Sequence, residues 1–211
     1  MKIIALDKID STHKYLKEYL QKNSPDQNIC FYTQNQTNGI GSRNNSWIGC
    51  KGNLFFSFCC KTIQLPTDLP MQSYSIYFSY LLKMVLSQYG SKLWIKWPND
   101  FYLDEKKIGG TITNKTNHFI LCGIGLNLQE VDEQFGYLDI LIDPMKILQE
   151  YFALIDDKIS WKQIFSNYRI EFEQYKKYTA TIDGVKKSLN NASLNHDGSI
   201  NLDKQKVYSL R

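Results

Sequence analysis

No run of apolar residues in this 211-residue chain approaches the roughly 20 that a membrane span needs, and Met1 to Leu6 is far too short in apolar length for a secretory leader. A membrane or secreted protein is therefore not expected, and the chain reads as cytoplasmic. It has five cysteines, Cys30, Cys50, Cys59, Cys60 and Cys122, an odd number with no C-x-x-C pair. That excludes a disulfide framework and a zinc ribbon as first readings and leaves buried, reduced thiols. The three histidines, His13, His118 and His196, lack ligand spacing, so structural roles are expected and a catalytic metal triad is not. Charge of one sign is never blocked together, and the net +4 is mild. It biases the chain slightly toward a polyanionic substrate or an acidic partner, without the footprint of a nucleic-acid binder. Internal repeats and low-complexity tracts are missing as well. What is present, 43% hydrophobic and 22% charged residues, describes a globular chain able to bury a core: one main domain and a small appendix.

The elements follow from periodicity. Lys2 to Leu6 reads as a buried strand, and Asp10-Ser11-Thr12 as the start of a helix whose Leu16, Tyr19 and Leu20 share a face. Ile29 to Thr33 and Leu54 to Ile63 read as strands, with a long aperiodic loop between them from Gln34 to Trp47. After Pro66 and Pro70, Tyr74, Tyr77, Leu81 and Val85 recur at helical spacing up to Gly90. Leu93 to Lys96, Phe101 to Leu103, Thr111 to Thr113 and Phe119 to Cys122 are short strands. Helical patterns follow around Pro144 to Ile155 and Ser160 to Tyr178. From Thr179 the chain alternates, with Asp183-Gly184 and Asp197-Gly198 as hairpin turns: a β unit too small to be stable alone.

Two stretches carry chemistry. Lys96-Trp97-Pro98-Asn99-Asp100 presents an amide and a carboxylate on a turn that Pro98 stiffens. Asp104-Glu105-Lys106 is the tip of a hairpin, so the returning strand brings Lys107 beside Asn99 and Asp100, followed by Gly109-Gly110. A carboxylate, a cation and bare glycine backbone together suit an activated phosphate ester. By itself a Pro-Asn-Asp turn is as often an ordinary turn. The second stretch, Gln36 to Trp47, holds Gly39 and Gly41, where backbone can approach a ligand, and Arg43, a planar cation suited to phosphate. It lacks the third glycine and following helix of a dinucleotide fingerprint, and alone it reads as a surface turn.

In order along the chain, Ser11-Thr12, Gln36, Gly39-Ile40-Gly41-Ser42-Arg43 with Trp47, Gly52-Asn53-Leu54, Lys96-Trp97-Pro98-Asn99-Asp100, Lys107 with Gly109-Gly110, and Gly123-Ile124-Gly125-Leu126-Asn127 resemble the biotin–protein ligases. The resemblance implies an α+β fold: a mixed β-sheet with helices packed on one face, like a class II synthetase, plus a small C-terminal SH3-like β unit. Residues 1–177 would form the catalytic biotin- and ATP-binding domain and residues 178–211 the small β domain. It implies that biotin is held by Ser11, Thr12, Gln36, Gly39, Gly41, Ser42, Lys107 and Gly110. ATP would be addressed by Arg43, Trp47, Asn99, Asp100 and Asn127, with Asp100 toward Mg2+. Lys107 and Arg43 would be the catalytic cations. The implied reaction makes biotinoyl-5′-AMP from biotin and ATP and passes biotin to a lysine of a biotin carboxyl carrier protein, part of acetyl-CoA or pyruvate carboxylase. A monomer or homodimer fits, with neither membrane nor nucleic acid as partner. No helix-turn-helix pattern precedes the first strand, so the repressor function of some relatives is not expected.

The chain departs from the family pattern at His13, where Ser-Thr is often followed by Asn, and at Ile40 and Ser42, where arginine is common. Two other readings compete. A lipoate–protein ligase or acyltransferase shares the fold, and a non-catalytic biotin-sensing module would use the pocket only to bind. The Lys-Trp-Pro-Asn-Asp and Gly-Ile-Gly-Leu-Asn motifs favour biotin. The retention of Lys107, Asn99 and Asp100 favours catalysis, since pure binding would not require a metal–phosphate group.

Overall fold

The structure, a computed structural model, describes residues 1–23, 25, 27–41, 46–47, 49–116 and 119–208. Near-continuous apolar runs at Ile29–Thr33 (β2) and Leu54–Lys61 (β5) form two adjacent buried strands of a seven-stranded sheet. Lys2–Ala5 (β1) pairs parallel to β2, and every other pairing in the sheet is antiparallel. Phe119–Leu126 (β9), Lys106–Lys115 (β8), Asp100–Leu103 (β7) and Trp94–Lys96 (β6) complete the order β1-β2-β5-β9-β8-β7-β6. The loop between β2 and β5 holds a two-residue pair, Gly39–Ile40 (β3) against Ser46–Trp47 (β4). Elements that short carry no periodic signal, so the sequence shows only a loop there.

Successive residues of β5 face opposite sides of the sheet, and the two sides are covered differently. Leu54, Phe56, Phe58 and Cys60 join the large core beneath the helices Tyr74–Gln88 (α2), Pro144–Asp156 (α3) and Trp161–Tyr175 (α4). Phe58 meets Phe78, Tyr151 and Phe152 edge-on, at 5.2–5.8 Å between ring centroids. α2 is buried almost all round because it lies between the sheet and the other two helices. Three of the four α-helices among the described residues thus share one face, in keeping with the expected fold. The fourth, Thr12–Lys22 (α1), covers part of the opposite face through Leu16, packed with Ile29, Phe31, Cys59 and Leu121. That placement puts the start of α1 over β5 and β9 and leaves open sheet beside it.

The helix α4 begins where Asp68 accepts from the backbone N–H of Trp161 and of Lys162, both at 3.0 Å, which satisfies two of the donors a helix start leaves open. After α4 come Thr179–Ile182 (β10) with Val185–Ser188 (β11), then Ser193–Leu194 (β12), Ile200–Leu202 (β13) and Gln205–Val207 (β14). Asp183 and Gly184 have φ of 50° and 81°, the left-handed pair that a two-residue hairpin needs. Asp203 and Lys204 repeat it between β13 and β14 at 50° and 64°, a turn not recognised from composition. Ala180, Ile182, Ile200 and Leu202 join the main core.

Two indoles tie the turn after β12 to the body: Trp161 donates to the His196 carbonyl at 2.8 Å and Trp97 to the Gly198 carbonyl at 2.9 Å. Trp97, joined to Pro98 by a cis peptide, is buried. Trp97 of the Lys-Trp-Pro-Asn-Asp motif therefore docks the C-terminal strands, and Asp100 at its end faces the site. Trp97→Phe keeps the ring but strands the Gly198 carbonyl, so urea unfolding is expected to show a loss of about 1–3 kcal/mol. An unchanged midpoint would mean that this bond contributes nothing.

Candidate active site

On the sheet face shared with α1, a cavity of about 300 Å3 opens between the first residues of α1, the β3–β4 pair and strands β5, β9 and β8, at the lower end of the range for small-molecule sites. Its floor lacks side chains where strands meet, because Gly110 pairs with Gly125 across β8 and β9. A Cβ on Gly125 would lie 2.9 Å from the Trp47 ring, so the indole rests flat on bare backbone. A Cβ on Gly110 would press on the Asp100 carboxylate at 3.1 Å.

One end of the cavity is polar and uncharged. Ser11 caps α1, accepting from the Lys14 N–H at 3.3 Å. Gln36 Oε1 accepts from the Thr12 N–H at 2.9 Å and the Thr12 hydroxyl at 3.2 Å, and the Ser57 hydroxyl lies 2.9 Å from that of Thr12. Oε1 can only accept, so the Thr12 proton goes to Gln36 and the Ser57 proton to Thr12. The chain of bonds fixes the Gln36 amide with its NH2 turned away from Thr12. Gly39 lies behind it, where a Cβ would sit 2.4 Å from Gln36 Nε2. Ser11, Thr12, Gln36 and Ser57 are all buried.

The other end is charged. The Asp104-Glu105 turn returns β8 against β7, and Lys107 Nζ meets the Asp100 carboxylate at 2.7 Å. Lys107 also sits 5.6 Å from the centre of the Trp47 ring, within cation–π range. Segment 131–136 folds over this end: Phe135 bridges to Lys107, the Gly136 N–H donates to the Lys107 carbonyl at 3.0 Å, and Asn127 donates to the Gly136 carbonyl at 3.1 Å. Val131 and Phe135 thereby become cavity wall. Residues 123 and 125 of β9 mark the two ends, roughly 7 Å apart at strand spacing.

The expected residues converge in large part. Ser11, Thr12, Gln36, Gly41, Trp47, Asp100, Lys107, Gly110 and Asn127 line one cavity. Asn99 does not. Its side-chain amide donates to the Thr111 carbonyl and so pins the turn that presents Asp100. Ser42 and Arg43 lie outside the described residues. Among those described, no group of three or more His, Cys, Asp or Glu side chains can hold a metal ion. Asp100 is the one carboxylate among the described lining residues, a hard oxygen donor of the kind Mg2+ takes when phosphates supply its other ligands.

Two further lining residues, Ser57 and His13, were not among those expected at the site. Ser57 was legible as the one polar residue in the run Leu54 to Cys60. His13, taken as structural, lines the cavity, and its Nε2 lies 2.8 Å from Asn114 Oδ1. Three lining side chains keep a buried polar atom without a partner among the described residues: His13 Nδ1, Trp47 Nε1 and Asn127 Oδ1. Such atoms are costly unless a ligand satisfies them.

Burial pushes the His13 imidazole down to about 4, opposed by its bond to Asn114 and assisted by the Lys17 charge. Between about pH 4 and 6.5 the unfolded chain then holds a proton that the native state does not. Stability contributed at neutral pH is accordingly lost as pH falls through this window, by up to about 3 kcal/mol. Urea unfolding should show a steeper decline from pH 6.5 to 4.5 for the wild type than for His13→Asn; parallel profiles would contradict this.

Fold and cavity define a mixed-sheet protein with a small-molecule pocket whose one end is polar and neutral and whose other end is an ion pair. The family model described as "Biotin/lipoate A/B protein ligase family" matches residues 5–127. The chain belongs to that family. It is 32% identical over 134 residues to the bifunctional ligase/repressor BirA of Escherichia coli K12, and 31% over 131 residues to biotin–protein ligase 2 of Arabidopsis thaliana. Those matches cover 60% and 57% of this chain, and the chain spans about two fifths of these relatives' length, 40% and 38%. Among solved structures, the Helicobacter pylori biotin acetyl coenzyme A carboxylase synthetase with bound biotinylated ATP superposes with a TM-score of 0.93 at 36% identity, covering 98% of this chain and 99% of that one. The biotin protein ligase of Aquifex aeolicus, at 20% identity and a TM-score of 0.77 over 100% of this chain and 96% of its own, shares the fold.

Proposed function

We propose that this chain is a biotin–protein ligase that activates biotin with ATP and transfers it to a lysine of a biotin carboxyl carrier protein. The observation that carries the reading is the two-ended cavity: buried neutral donors and acceptors at Ser11, Thr12, Gln36 and Ser57, and the Lys107–Asp100 pair at the far end. Biotin is built in the same way, a cyclic urea joined through apolar carbon to a carboxylate. The whole-length likeness to a synthetase with bound biotinylated ATP supports it.

In the first half-reaction the biotin carboxylate attacks the α-phosphorus of ATP, an oxygen–phosphorus bond forms and pyrophosphate leaves. Two anions must approach each other, so the protein's contribution is orientation and neutralisation of charge. Asp100 holds Lys107 Nζ at 2.7 Å, where the ammonium faces both carboxylate and α-phosphate. Asp100 would hold magnesium, which would supply neutralisation of phosphate charge. Trp47 covers the apolar chain over Gly125, and Asn127 offers its open Oδ1 near the nucleotide. Arg43 is assigned to the phosphate on the resemblance alone. In the second half-reaction a carrier lysine attacks the acyl carbon of the mixed anhydride and AMP leaves, while a closed site keeps water from the anhydride. The catalytic domain is assigned to residues 1–177 and the small β domain to 178–211, acting in the cytoplasm as a monomer or homodimer.

The test is incubation of the chain with biotin, ATP, Mg2+ and a carrier domain, read by avidin blot. Labelling of the carrier lysine is expected, together with biotin-dependent pyrophosphate exchange. Exchange supported by lipoate and not by biotin would move the chain to the lipoate branch of the family. Binding without exchange would make it a sensing module.

A further inference from the structure

The residue after Ser11-Thr12 has a lone pair with nowhere to go. With Asn114 Oδ1 accepting from Nε2, the His13 proton sits on Nε2 and Nδ1 is a pure acceptor. Nδ1 is buried and unpartnered, in a side chain only 4% exposed at the cavity wall. Ser57 Oγ gives its proton to Thr12 and likewise faces outward as an acceptor. These two atoms flank one spot: a Cβ on Gly123 would lie 3.0 Å from His13 Nδ1 and 3.1 Å from Ser57 Oγ. Any side chain there would crowd both acceptors, and glycine is the residue that avoids this. A group that offers N–H to the pair satisfies both.

We propose that His13 is a specificity-determining residue whose Nδ1, paired with Ser57 Oγ over Gly123, accepts one urea N–H of the substrate ring. This deepens the biotin-ligase reading and rests on it. The imidazole stays neutral at physiological pH because burial disfavours its charged form, so the acceptor is always available. Lipoate, whose dithiolane ring carries no N–H, leaves both acceptors bare, a penalty the pocket imposes without touching sulfur.

Calorimetry with biotin and with its two singly N-methylated urea analogues tests this on the full chain. Wild type is expected to bind biotin and to reject one methylated isomer. In His13→Leu, biotin affinity is expected to fall about tenfold, the scale of one hydrogen bond to a buried acceptor. Affinity for the rejected isomer should not fall with it, so the discrimination narrows by the same factor. Equal loss for biotin and both analogues would show that the ring merely packs, and would overturn the assignment while leaving the ligase reading standing. If wild type binds no biotin at all, the ligase reading itself fails. Should His13→Leu not fold, nitrogen NMR of the wild-type imidazole replaces it. The unprotonated Nδ1 resonance is expected to move on saturation with biotin and to stay put with the rejected isomer; an Nδ1 unmoved by biotin would overturn the proposal.

Discussion

Lys107→Ala is expected to lower the rate of biotin-dependent pyrophosphate exchange by about 30- to 1,000-fold, equivalent to roughly 2–4 kcal/mol of lost transition-state stabilisation, the scale of one preorganised electrostatic contact. The fold should survive. The Lys107–Asp100 pair is nearly one-third exposed on both sides, and ion pairs that solvent reaches contribute little to stability. Lys107 Nζ lies over the Trp47 ring and its backbone bridges to Phe135, so a small drop in the unfolding midpoint is expected beside the large kinetic effect. Near-normal exchange in a folded variant would remove Lys107 from the chemistry. The variant also separates roles: biotin binding should weaken less than exchange, because the neutral end of the cavity is untouched.

The second large effect is expected from Gly123→Val. A Cβ there lands 3.0–3.2 Å from His13 Nδ1, Ser57 Oγ and Ile112 Cγ1, tighter than ordinary contact. Its two methyl groups then project into the space between the acceptors. Those neighbours belong to α1, β5 and β8, each packed into the sheet, so they have little room to withdraw. Biotin affinity should drop by at least about 100-fold, as occupied volume and lost hydrogen bonds act together. ATP binding, which we place near Asp100 and Asn127, should be spared. Calorimetry with each ligand in turn decides it: parallel loss of both would indicate general distortion, and undiminished biotin binding would put the ring elsewhere.

The charged end of the site was legible without coordinates because it is local. Two strands joined by Asp104-Glu105 can register in few ways; Lys107 returns opposite Tyr102, two residues from Asp100, and its Nζ reaches that carboxylate. Trp97 was legible only in part: its proline-stiffened turn was clear, but its bond to Gly198, about a hundred residues away, was not. The neutral end was half legible. Ser11 and Thr12 announce a helix start, yet the same residues would cap a helix with no ligand near. Only the fold shows Gln36 turned onto Thr12 and Ser57 behind it. Segment 131–136 gave no periodic signal, and its place over Lys107 comes from backbone bonds to β8 and to Asn127.

The sequence by itself determined the class of the fold, the family and the hairpin that carries the lysine, because strand alternation, turn chemistry and short-range register are properties of neighbouring residues. Tertiary structure decided what the pocket can recognise. His13 is a helix residue like any other until α1 is laid across β9, where Asn114 takes one ring nitrogen and Gly123 leaves the other bare. Which lone pair stays open depends on three strands that the chain brings together only when folded, and no spacing along the sequence encodes it.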